Sequence, residues 1–417
     1  MSAANASIVP EKFYRSLRVA LLRLLILISA AMAVAVYLQY PTEQKSRASF
    51  HDDLLRIDNA MAQLNPKEPR YAFLQFQKAQ LTGNFEDFYH ANHLLKAFPN
   101  DRELLFLRAK IALNMHDVTE GKSLYDKLSI YPNDSRTEDL AIDIALQLGQ
   151  YSKAIEILTQ RLQRDAQWSD LARYAYLLHK FGDSTAADAI YSKAQERLSI
   201  KQVKDYSWLE LQRGIIDLEN GNHTDALAHF ELANRTYPGH WLIEEHLAET
   251  YALLGHPKTA IALYEKVIRQ SDNPIYFFAL GNLRKDEQPA RADQLFHIAE
   301  EKFQQRYSRY PLAASGHLID IWIKEQEKNP TTVNLTRLLQ LTEINLFHRP
   351  NAEAMIQRIK VLMLDRDMTA ARQLTASLLE TPWRTADVAH LADEFDANIP
   401  TTSFIQIPDD ALTDHEL

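Results

Sequence analysis

The chain has 417 residues, 46% of them apolar, which is enough to bury a large core and excludes global disorder. Ten glycines are too few for glycine-rich phosphate loops, dinucleotide-binding turns or many tight hairpins, and zero cysteines exclude disulfides, thiolate metal sites and thiol nucleophiles. The net charge is −9, and the stretch after Arg384 holds Asp387, Asp393, Glu394, Asp396, Asp409, Asp410, Asp414 and Glu416 with no Lys or Arg, so no basic surface for nucleic acid is expected.

Residues 1–18 read as a cytoplasmic N-terminus and 19–40 as a transmembrane helix. From Leu24 to Leu38 the only polar residue is Ser29. Val19 to Leu38 spans about 30 Å as a helix, which matches the hydrocarbon thickness of a bilayer. Arg23 lies one turn in and can snorkel, and Tyr37 and Tyr40 sit at the far edge. Lys12, Arg15, Arg18 and Arg23 precede or open the span against the single acid Glu11, whereas the following 20 residues carry a slight acidic excess. The positive-inside rule then keeps the N-terminus in the cytoplasm and exports the rest, to the periplasm in a Gram-negative cell. Ala33-Val34-Ala35 offers a cleaved signal peptide as the competing reading, with the same compartment for the mature chain.

Residues 41–67 form a juxtamembrane helix or linker. Within 48–65, Phe50, Leu54, Ile57, Met61 and Leu64 are spaced 4, 3, 4, 3. That stripe suits either a helix capping the next element or a short coiled coil giving a homodimer, and the capping reading is preferred because two heptads specify little.

Residues 68–305 read as a repeat array. Between 207–240 and 241–274, Gly214 matches Ala248, Gly221 matches Gly255, Ala226 matches Ala260, Phe230 matches Tyr264 and Ala233 matches Val267, every pair 34 apart. The pattern continues upstream through Ala175, Gly182, Ala187, Tyr191 and Ala194, and through Gly149, Tyr151, Ala154 and Leu158. Downstream it continues through Ala292, Phe296 and Ala299. Residues 306–384 are degenerate helical repeats, with a last echo at Ala370, Leu374 and Ser377, and 385–417 read as an acidic tail. The insertion Ser199–Tyr206 is either a kink or a loop.

This pattern resembles the tetratricopeptide repeat, a helix–turn–helix of 34 residues with small eighth and twentieth residues and a bulky twenty-fourth. The small residues lie where paired helices approach closest, and the bulky one plugs the space towards the next unit. The resemblance implies an all-α fold, an α-solenoid of tandem helix–turn–helix repeats, and the apolar run at 19–40 sets one N-terminal transmembrane helix before it. A single pair cannot bury its apolar face, so the units must stack into a superhelix with a continuous core.

No GxSxG, P-loop, GxGxxG or HExxH motif is present, so catalytic residues, cofactors and metals are all expected to be none. His90 and His93 with Asp87 have the i,i+3 spacing of a shared metal site but read better as the polar face of a weak repeat, and Asp52-Asp53 and Asp409-Asp410 read as solvated charge. The resemblance places partner-binding residues on the concave face, along the first helix of each unit: Arg136, Asp139, Asp143, Tyr176, His179, Lys180, Trp208, Glu245 and Glu249, with Leu211 and Ile215 in phase with them. It implies a non-enzymatic, membrane-anchored scaffold holding an extended peptide or helix of a protein partner during assembly of a cell-envelope complex. The alternatives are an accessory subunit of one membrane enzyme, secretion or synthase complex, or a periplasmic chaperone.

Overall fold

The computed structural model describes residues 48–130, 134–328 and 330–400, and the anchor segment 19–40 lies outside them. Among the described residues there are twenty helices, no strand, and no helix long and apolar enough to cross a membrane. A lone α1 (Phe50–Ala62) comes first. Helix pairs follow: α2 (Pro69–Thr82) with α3 (Phe85–Leu95), α4 (Arg102–Asn114) with α5 (Val118–Leu128), and α6 (Ser135–Gln147) with α7 (Tyr151–Arg164). The middle pairs are α8 (Trp168–Lys180) with α9 (Ser184–Glu196), α10 (Val203–Glu219) with α11 (His223–Thr236), and α12 (Trp241–Leu253) with α13 (Pro257–Gln270). Then come α14 (Pro274–Arg284) with α15 (Pro289–Arg309), α16 (Pro311–Lys328) with α17 (Thr332–His348), and α18 (Ala352–Leu364) with α19 (Met368–Glu380). A lone α20 (Ala386–Glu394) closes the series. This is an all-α solenoid of tandem helix–turn–helix units.

Local chemistry starts and stops these helices. Asp101, Asp117, Asp134, Asp183 and Asp367 cap α4, α5, α6, α9 and α19, each side chain accepting an N–H that has no partner within the helix. Pro69, Pro257, Pro274 and Pro289 occupy first turns, where a missing N–H costs nothing. As the repeat pattern requires, Gly221 and Gly255 follow α10 and α12 with left-handed backbones.

The small residues do what their period implies. Ala91, Ala154, Ala187, Ala226 and Ala260 have no exposed surface, and each packs its second helix against the first. At Gly214 a Cβ would stand 2.5 Å from the Phe230 ring, so the aromatic lies where any side chain would be. Tyr191, Phe230 and Tyr264 are buried core residues.

Three readings need correction. In the last pair the buried positions are Ala371, Thr375 and Leu378, one residue later than Ala370, Leu374 and Ser377, because α19 starts its register at the Asp367 cap. The start of the stretch read as a tail is α20, whose Val388, Leu391 and Ala392, followed by Phe395, are buried at helical spacing among the acids. The insertion after Ser199 contributes a first turn to α10, which is 17 residues long. In addition, α15 runs continuously through residue 305.

The array coils until residues 160 to 224 apart touch. At one seam, Phe50 N–H donates to Pro238 O (3.2 Å), Tyr237 Oη donates to Asp53 (2.8 Å) and Trp241 Nε1 donates to Leu81 O (2.9 Å). Phe50, Leu54 and Ile57 pack with Tyr237 and Trp241, so this half of the α1 stripe is engaged within the chain. At the other seam, Tyr151 Oη accepts from Ala352 N–H (2.8 Å), Arg384 N–H donates to Lys180 O (2.8 Å), and Trp383 packs against Tyr151, Tyr176 and Phe181. Gly149 (φ +68°) turns here with Pro350 O 2.4 Å from where a Cβ would be. One core cluster therefore joins residues 142–216 to 352–395.

Candidate functional site

Above the second seam the two turns leave a cleft of about 740 Å³. One wall comes from the end of α8, the start of α9 and the end of α10, through His179, Lys180, Ser184 and Glu219. The other comes from α17, α18 and the link to α20, through Asn345, Arg349, Gln357, Lys360 and Trp383. The seam contacts hold the two walls together, so the cleft is built into the fold.

Charges around the cleft are mostly paired. Lys180 Nζ donates to both Glu219 oxygens (2.9 and 2.7 Å), and His179 Nε2 lies 2.9 Å from Glu219 Oε2. Burial pushes the Glu219 carboxyl up, but the His179 and Lys180 contacts outweigh it and bring it down to about 2. Lys360 donates to Asp387 (2.8 Å). Arg349 is only loosely paired. Its side chain is only 11% exposed, its Nε has no hydrogen-bond partner, and Glu353 stands 3.9 Å away. Burial lowers its pKa, against the opposing pull of Glu353.

The nine residues read from the sequence fall into three groups. Arg136, Asp139 and Asp143 form a ladder between repeats: Arg136 pairs with Glu103, Arg173 donates to Asp139 (3.0 Å) and Lys110 donates to Asp143 (2.9 Å), at separations of 33, 34 and 33 residues. Equivalent positions of neighbouring units thus neutralise one another. Tyr176, His179 and Lys180 belong to the cleft region, and Tyr176 lies beneath Trp383, with burial raising its hydroxyl well above the usual tyrosine range. Trp208 is 41% exposed and stands edge-to-face against Trp168, while Glu245 and Glu249 flank His246. Of the in-phase apolar residues, Leu211 is buried and Ile215 partly buried in the α10–α12 core.

Arg349 and Trp383 escaped the sequence reading. They come from the degenerate region, and nothing in their local pattern says that residues about 200 positions earlier will face them. His246 was missed for another reason: its imidazole stacks on the core residue Phe230 (5.2 Å, 14°), so its period marks it as packing.

The hydroxyl of Ser184 lies 2.9 Å from His179 Nδ1, which gives the residue types of an acyl-transfer trio with Glu219. The arrangement serves cohesion instead. Lys180 already neutralises the Glu219 carboxylate, so it gives an incipient imidazolium little support, and the Asp183 side chain occupies an N–H of the α9 first turn that could have faced an oxyanion.

Among solved structures, the chain is similar to the human IFIT1 dimer with PPP-AAAA, at 13% identity over 79% of this chain and 94% of that one, with a TM-score of 0.43. It is similar to a tetratricopeptide repeat protein from Parabacteroides merdae, at 20% identity over 55% and 92%, TM-score 0.39. It is also similar to PilF of Pseudomonas aeruginosa, at 16% identity over 62% and 99%, TM-score 0.33. No family model and no curated protein matches the chain.

Proposed function

We propose that the chain is a non-enzymatic adaptor, tethered to the inner membrane by residues 19–40, that holds a protein partner in the cleft between its middle and last repeats during assembly of a cell-envelope complex. The anchor and the periplasmic side of the array rest on the apolar run and its flanking charge. The observation that carries the binding reading is the preformed cleft with Arg349 on its wall, a mostly buried cation whose nearest carboxylate, Glu353, is 3.9 Å away. A partner segment, extended or helical, would set an acidic group against Arg349 and reach past Lys180 towards the exposed Trp208. Large aromatic and arginine side chains are the usual anchors of such contacts.

The test is in-cell photo-crosslinking from Trp208 and from Gln357, read by mass spectrometry. Both positions should capture the same protein, and Arg349→Ala should reduce its yield at least tenfold while the melting midpoint holds. Capture no greater than from the outward-facing Lys122 would refute the cleft reading. Protease added to spheroplasts should digest the chain beyond residue 40, and full protection would refute the orientation.

A further inference from the structure

On α12, away from the cleft, Glu245, His246 and Glu249 bring one imidazole nitrogen and two carboxylates together, with their donor atoms within 4.8 Å of one another. His246 Nδ1 lies 3.3 Å from Glu245 Oε2 and 3.8 Å from Glu249 Oε2. That nitrogen has no accessible surface and no hydrogen-bond partner. A buried ring nitrogen that faces two carboxylates without an aligned hydrogen bond to either leaves a place where a cation would satisfy all three. Among the described residues neither carboxylate pairs with a lysine or an arginine.

We infer that Glu245, His246 and Glu249 form a binding site for a divalent transition-metal ion of the zinc class. The separations fit. Ligand bonds of 2.0–2.2 Å in a tetrahedral site put neighbouring donors about 3.4 Å apart, close to the 3.3 and 3.8 Å seen here. Direct hydrogen bonds would need shorter and better aligned contacts. The donor set of one imidazole nitrogen and two carboxylate oxygens suits zinc better than magnesium or calcium, which take oxygen alone. The site is also held ready: stacking on Phe230 fixes the plane of the ring, and Glu245 is largely buried beside it. Glu249 remains 46% exposed, so an ion can enter from solvent on that side and keep a fourth position open there. The inference does not depend on how the cleft is used.

The experiment is calorimetric titration of the full chain with zinc chloride, with melting curves in parallel. One zinc ion per chain should bind saturably and raise the melting midpoint, whereas magnesium at the same concentration should not. Replacing His246 would also remove its stacking on Phe230, so the deciding variant is Glu249→Gln at the half-exposed position. It should leave the metal-free midpoint unchanged and weaken zinc binding at least tenfold, and adding Glu245→Gln should abolish saturable binding. The pair His90→Ala/His93→Ala on α3 should leave binding as it is. Absence of saturable binding, equal affinity in Glu249→Gln, or loss of binding in the His90/His93 variant would each overturn the assignment.

Discussion

Replacing Trp383 by alanine tests whether the array is closed on itself. The indole is 4% exposed and makes aromatic contacts to Tyr151 (5.2 Å), Phe181 (6.3 Å) and Tyr176 (6.4 Å). Truncating a buried tryptophan costs about 3–5 kcal/mol, to which each aromatic pair contributes about 0.5–1.5 kcal/mol beyond simple burial. In an open solenoid each repeat feels only its neighbours, so the damage would stay within α18–α20. Here the same side chain also covers residues more than 200 positions earlier, and its loss should loosen both sides of the seam. Hydrogen exchange read by mass spectrometry is the assay. Amides around 352–364 and 384–394 should exchange about a hundredfold faster, and those around 149–152 and 180–184 at least about tenfold faster. Amides of α4 and α5 should not change. Acceleration confined to 352–395, with 149–184 untouched, would refute a seam that shares one core.

The other expectations concern separate parts of the fold. Gly214→Ala sets a methyl group 2.5 Å from the Phe230 ring, and denaturant unfolding should show a loss of about 1–3 kcal/mol; a neutral result would contradict the close helix approach. Arg161 donates to the buried Asp170 (3.1 Å) and to Asp139 (2.8 Å), so Arg161→Met should cost about 3–5 kcal/mol by stranding Asp170. Adding Asp170→Leu should recover most of that loss, and a double variant no better than the single one would count against a stranded charge. The Glu219 carboxyl, brought from 4.5 to about 2 on folding, contributes stability that is fully present above about pH 4.5 and is lost as pH falls towards 2. The group is 42% exposed, so screening reduces this to about 1 kcal/mol. Melting midpoints of wild type and Glu219→Gln should therefore converge on acidification from pH 6 to pH 2.5, and a constant gap between them would show that the carboxylate is not what titrates.

Much of the architecture was legible in one dimension because a repeat's inner packing is local. Ala187, Ala226 and Ala260 must be small and Tyr191, Phe230 and Tyr264 bulky whatever surrounds the array, since each meets only its own pair and the next. Pro257 and the glycines at 221 and 255 likewise act on their own turns. The acidic run after Arg384, eight Asp and Glu with no Lys or Arg, concealed the capping helix that opens it, although Val388, Leu391, Ala392 and Phe395 recur there at helical spacing. Where the coil closes was not legible. The contact of Gly149 with Pro350, the seat of Trp383 over Tyr151 and Tyr176, and the hydrogen bond from Ala352 N–H to Tyr151 Oη all join segments about 200 residues apart. Small rotations between successive repeats, summed along the array, set those meetings, and no residue pattern within a unit records the sum. The sequence by itself determined a helical array of paired units and the residues that seal each pair. The tertiary structure alone decided which distant units touch, and so which charges are neutralised and which face a cleft.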